Sequence, residues 1–169
     1  QERSFLIFSS LNAREIIQGQ GIDIAIAIDI SNSMGALDFE PQNRLDAAKS
    51  VISEFIQERE FDRIGLVVFA RNAFHQAPLT LDHDVLIELL NDVRLVEDII
   101  DTNGLPLLLD GTAIGLGIAS ASNMLRNSDV SSQIIILLTD GDNNASLAPL
   151  QAAQAADALN IRVYTIGMG

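Results

Sequence analysis

The sequence predicts an α/β protein: a doubly wound, mostly parallel central sheet with helices on both faces and one short antiparallel edge strand. Three observations predict it. Apolar strand-like runs alternate with amphipathic helical stretches along the 169 residues. Two of the runs, GIDIAIAID from Gly21 and QIIILLT from Gln133 to Thr139, carry apolar residues on both faces through their centres (24–28 and 134–138), as in strands covered on both faces. Both runs break off at an aspartate, Asp29 and Asp140, into turns of small, acidic and hydroxyl-bearing residues.

In chain order, the segment 1–20 is a leader of uncertain structure, in which SFLIF reads as a short strand and Ala13 to Gln18 as a helical turn. Ile22, Ile24, Ile26 and Ile28 recur at period 2 with Ala25 and Ala27 between them, and give the first strand. After a loop over Gly35 to Pro41, Leu45, Ala48, Val51, Ile52, Phe55 and Ile56 recur at three and four and predict a helix from about Asn43 to Glu60. RIGLVVFA from Arg63 is the second strand. Asn72 to Pro78 is a third, placed at an edge because proline cannot donate to a ladder. Asp82 caps a helix over His83 to Leu95 with Leu86, Leu89, Leu90 and Val93 inward. Residues 96–109 form a surface excursion with an apolar tip, readable as a lid over its own helices or as a docking surface. A helix from Ala113 to Arg126, the strand 133–139, a helix at 149–159 opened by Pro149 and a strand IRVYTI at 161–166 complete the pattern.

Composition excludes several classes. There is no cysteine, hence no disulfide, zinc-thiolate site or thiol nucleophile. The formal net charge of −13 repels nucleic acid and anionic lipid. No apolar run approaches the roughly 18 residues of a membrane helix, so this stretch of chain does not insert into a membrane.

The oxygen-bearing side chains point to a hard cation. Asp29, Ser31 and Ser33 alternate where the first strand runs out, Thr112 precedes a helix, and Asp140 ends another buried strand. Loops at the carboxyl ends of parallel strands share one rim. Carboxylate and hydroxyl donors without His or Cys suit magnesium or manganese, with calcium behind them. Taken alone, Asp-x-Ser-x-Ser reads equally well as helix capping. Asp38, Glu40 and Asp142 fall on the same rim, as solvated acids or as charge that raises cation affinity.

In combination, DISNSM, DGTAIG and LLTDGDNN resemble the three loops of the von Willebrand factor type A (VWA) domain, over about residues 21–169. The resemblance implies a Rossmann-like VWA fold and a metal-ion-dependent adhesion site. Asp29, Ser31 and Ser33 match its first loop, Thr112 its second and Asp140 its third. It also implies a protein partner whose Asp or Glu completes the cation's coordination. NRLDAAK, DRIGLVVFA, PLTLDHD and IRVYTIGMG are further similar to bacterial, membrane-associated members of the aerotolerance (BatA-like) type. That implies an extracytoplasmic domain of a membrane-anchored cell-envelope protein with a functional link to a MoxR-type AAA+ ATPase. Asn32 departs from the family's usual glycine, and the family's final strand and helix are expected beyond residue 169.

An enzymatic role finds little support. No Gly-x-Ser-x-Gly elbow or phosphate-binding Gly-x-x-x-x-Gly-Lys-Ser/Thr occurs, and the glycines of GTAIGLG are wrongly spaced for a dinucleotide loop. His75 and His83 read as structural or solvated. The expectation is a non-enzymatic, cation-dependent binding module with no organic cofactor. A metal-dependent phosphoryl-transfer or hydrolytic enzyme, or a scaffold with a purely structural ion, are the competing readings.

Overall fold

A computed structural model describes residues 21–39, 42–141, 143–144 and 147–168. The leader 1–20, Glu40 and Asp142 lie outside the described residues. The elements run β1 (Asp23–Asp29), α1 (Arg44–Gln57), β2 (Arg63–Phe69), β3 (Ala73–Thr80), α2 (His83–Asn91), α3 (Ile114–Leu125), β4 (Gln133–Thr139), α4 (Pro149–Ala158) and β5 (Ile161–Gly167). Single 3-10 turns stand at Asn32–Gly35 and Val96–Asp98.

The five strands are ordered β3-β2-β1-β4-β5. β1 pairs in parallel with β2 and β4, β4 in parallel with β5, and only β3 runs antiparallel, against β2. This is the mostly parallel α/β sheet the periodicity predicts, in the Rossmann-like form the resemblance implies, with the proline-bearing strand at the edge. β1 is central because it is buried along its whole length. Its even-numbered isoleucines face one layer of core with Leu45, Ile52 and Ile56 of α1 and Leu86 and Leu90 of α2. Ala25 and Ala27 face the other, with Ile118, Ala121 and Leu125 of α3 and Ala152 and Ala156 of α4. The small side chains on that face let α3 approach closely. A Cβ on Gly117 would lie 2.8 Å from the Phe69 ring, and one on Gly115 would lie 2.4 Å from the Leu147 carbonyl oxygen. The helix thus keeps two glycines despite their cost to helix stability.

Helix ends follow local chemistry. Asn43 and Asp82 cap α1 and α2, each side chain accepting an N–H three residues on. Pro149 stands in the first turn of α4. Asn160, at φ 59°, makes the left-handed turn that ends α4 and starts β5. Two helix ends come earlier than expected: α1 stops at Gln57 instead of about Glu60, and α2 at Asn91 instead of Leu95. The Lys49 ammonium on α1 donates to the carbonyls of Asn91 at 2.9 Å and Val93 at 2.7 Å. It satisfies the free carbonyls of that helix end and turns the chain out, and Val93 still reaches the core.

The excursion divides in two. Leu95 and Val96 are buried, and Ile99 and Leu108 pack against the core. Ile100, Leu105, Leu107 and Leu109 are exposed at its tip. The tip is pinned by the Asp101 carboxylate, which accepts N–H bonds from Asn103 and Leu105 at 2.8 Å each. These bonds hold the Asp101 carboxyl below its ordinary range.

Candidate metal centre

The chain leaves β1 toward β2 on one side, while β4 lies on its other side. The loops after β1 and β4 therefore rise together over the carboxyl end of the sheet, where open parallel sheets bind ligands. Asp29, the last residue of β1, is completely buried. One of its carboxylate oxygens accepts the Ser31 N–H at 2.9 Å and the other the Thr139 hydroxyl at 2.6 Å. Burial pushes its carboxyl up from the ordinary 3.8, the hydrogen bonds from Ser31 and Thr139 pull against that, and the Asp140 charge adds a smaller push upward.

Ser31 opens the 3-10 turn, its carbonyl accepting the Met34 N–H at 3.0 Å. The turn brings the Ser31 and Ser33 hydroxyls within 3.1 Å of each other, and the Ser33 hydroxyl donates to Asp140 Oδ1 at 2.8 Å. Asn32 is exposed, and its N–H donates to the Asp110 carboxylate at 3.1 Å. It does not stand among the residues with positive φ, so a side chain is tolerated here without strain.

Thr112 is buried just before α3. Its N–H donates to Asn144 Oδ1 at 2.9 Å and its carbonyl accepts the Asn144 N–H at 3.0 Å. A Cβ on Gly141 would lie 3.6 Å from the Thr112 hydroxyl, so that hydroxyl borders the third loop directly. All five predicted positions, Asp29, Ser31, Ser33, Thr112 and Asp140, are thus brought to one rim. Asp38 joins them through Arg44, whose Nε and Nη2 donate to its carboxylate and hold it below its ordinary range.

Four further residues shape the rim. Thr139 orients Asp29, Asp110 ties the second loop to the first, Asn144 ties it to the third, and Arg44 donates from Nη1 to Asp140 Oδ2 at 2.5 Å. Thr139, Asp110 and Asn144 lie inside the loop motifs, which was the available signal. Arg44 gave none.

The donor set fits a hard divalent ion. It consists of two carboxylates and three hydroxyls, and a six-coordinate ion held by all five would keep a position for water or an outside ligand. Among the described residues no group of three or more His, Cys, Asp and Glu side chains gathers to hold a metal, so hydroxyls must supply part of the donor set at the rim. Neither histidine reaches it. His75 sits on the edge strand 3.3 Å from the Ser120 carbonyl. His83 lies near the Arg59 and Asp62 carbonyls at the opposite pole of the sheet.

Among known proteins, an uncharacterised protein of Borreliella burgdorferi is 39% identical over 150 residues, covering 88% of this chain and 41% of that protein. The crystal structure of BatB, a conserved hypothetical protein from Bacteroides thetaiotaomicron, superposes with a TM-score of 0.75 at 35% identity, over 87% of this chain and 66% of that one. An aerotolerance-related membrane protein from Bacteroides fragilis gives 0.74 at 34%, over 87% and 67%. The chain thus spans about two fifths of the length of the Borreliella burgdorferi relative. No helix among the described residues is long and apolar enough to cross a membrane. The model of the von Willebrand factor type A domain matches residues 23–169, and the chain belongs to that family.

Proposed function

We propose that this domain is a cation-dependent protein-binding module. Asp29, Ser31, Ser33, Thr112 and Asp140 hold magnesium or manganese, and an Asp or Glu of a partner completes the coordination. One observation carries the reading: among the described residues the buried Asp29 carboxylate takes only neutral donors. Buried charges are paired or coordinate metals. A divalent ion supplies the missing positive charge and, in an acidic protein, the local attraction that a partner carboxylate needs.

The protein's own residues do the remaining work. Thr139 and the Ser31 N–H orient Asp29, the 3-10 turn presents two hydroxyls, and Asn144 fixes Thr112 against the third loop. Leu109 adjoins Asp110, which is tied to the first loop, and Leu37 and Leu107 are exposed nearby in sequence on those same two segments. Exposed apolar side chains on these two segments suit protein contact. In the intact protein, we place this module in the cell envelope of a bacterium, in a membrane-associated assembly linked to a MoxR-type AAA+ ATPase. The membrane-protein names of the solved relatives support that placement.

Calorimetry with manganese and magnesium, repeated with excess acetate or a short Asp-containing peptide, tests the proposal. Wild-type protein should bind the ion and then the carboxylate. Ser31→Ala and Asp29→Ala should lose both. Equal binding in both variants, or none in the wild type, would remove the reading.

A further inference from the structure

Arg44 occupies an unexpected place. It is the first residue of α1, where the helix dipole disfavours a cation and where acidic residues are the usual choice. A local rule broken in this way calls for a compensating role. Its guanidinium is spent on two carboxylates. Nε and Nη2 grip Asp38, at 3.0 and 2.5 Å, while Nη1 reaches Asp140 Oδ2 at 2.5 Å. The Asp140 side chain has no exposed surface, and its other oxygen is already taken by Ser33. Arg44 is therefore the protein's own positive charge on the third loop's acid, while Asp29 receives none from the described residues.

We propose that Arg44 is an internal counter-ion latch that sets the cation affinity of this rim. It holds Asp140 in place when the rim carries no divalent ion, and it gives up Asp140 Oδ2 while keeping Asp38 when one is bound. Three geometric features fit the exchange. The fork of the guanidinium lets Nη1 release while Nε and Nη2 stay bidentate on Asp38. Asp38 is exposed and can follow the arginine outward, whereas Asp140 is enclosed and stays. The Arg44 N–H is bonded to the Ala36 carbonyl, so backbone and helix hold still while the side chain moves. The inference rests on the proposed cation site and adds to it a threshold: ion binding must outcompete a built-in cation.

The test compares wild type, Arg44→Gln and Arg44→Lys by manganese binding, read from loss of the free-ion electron paramagnetic resonance signal, and by thermal unfolding with and without manganese. Removing a full positive charge a few ångströms from the ligands should tighten manganese binding about tenfold in Arg44→Gln. Without manganese that variant should melt below wild type, because Asp140 loses its partner. The manganese-induced rise in Tm should then exceed that of wild type. Arg44→Lys keeps the charge but loses the fork, and should stay within about threefold of wild type. Equal or weaker manganese binding in Arg44→Gln would overturn the latch while leaving the site standing. No manganese binding in either protein would overturn the site and the latch together.

Discussion

The two ends of β1 hold the same problem and solve it differently. Asp23 opens the strand and Asp29 closes it, and both are completely buried. At the opening end Arg63, directly across in the β2 register, clamps Asp23 through Nε at 2.8 Å and Nη2 at 2.6 Å, and the Ser128 hydroxyl adds a third bond. At the closing end Asp29 faces Phe69 of β2 and takes, among the described residues, neutral donors from Ser31 and the Thr139 hydroxyl, with Asp140 close enough to repel it. One pole is electrostatically closed by the fold. At the other, we propose, a divalent ion does that work. A buried carboxylate alone is thus no signal for a site; what sets the Asp29 end apart is that no cation among the described residues pairs with it.

The contrast can be broken at either end. The largest effect on folding belongs to the closed pole. Arg63→Met should cost about 3 kcal/mol by stranding Asp23, measured by chemical denaturation, and should leave manganese affinity unchanged. A shared loss of affinity would mean the poles are coupled. Next comes Thr139→Val, which removes the hydroxyl holding Asp29. It should cost about 1–2 kcal/mol and weaken manganese binding severalfold, because the carboxylate is no longer aimed.

The pH dependence differs too. The folded Asp29 carboxyl is raised, so the folded state binds its proton more readily than the unfolded chain does. Its contribution to stability is present below the ordinary value of 3.8 and is lost as pH rises from there through the raised folded value. In chelator, wild-type protein should lose stability across that window relative to Asp29→Asn, and the difference should close when magnesium is added. The smallest effect is at the excursion. Asp101 is depressed, so its bonds hold above 3.8 and release as pH falls through its lowered folded value. Asp101→Asn should raise amide exchange at Leu105 without moving the global Tm by more than about 2 °C.

Much of this was legible beforehand, for definable reasons. Strand burial shows in composition, and the carboxyl ends of parallel strands must share a rim, so Asp29, Ser31, Ser33 and Asp140 could be grouped from sequence. Thr112 could be placed beside them, but its clamp, Asn144, could not, because an asparagine in a turn looks the same whether it bonds its own loop or another. The early stop of α2 depends on Lys49, forty-two residues before Asn91, and no local pattern carries that. Arg44 was invisible for a similar reason. An arginine beside a helical stripe reads as solvated, and its meaning comes from two acids that only the folded chain sets around it.

The central claim is that Asp29 lacks a protein cation because a divalent ion supplies it. The most direct measurement is thermal unfolding of wild type and Asp29→Asn, each in chelator and in millimolar manganese. Wild type should gain several degrees with manganese. Asp29→Asn should match or exceed wild type in chelator and gain nothing from the ion. An Asp29→Asn protein that unfolds early in chelator, or that gains as much from manganese as wild type does, would contradict the account.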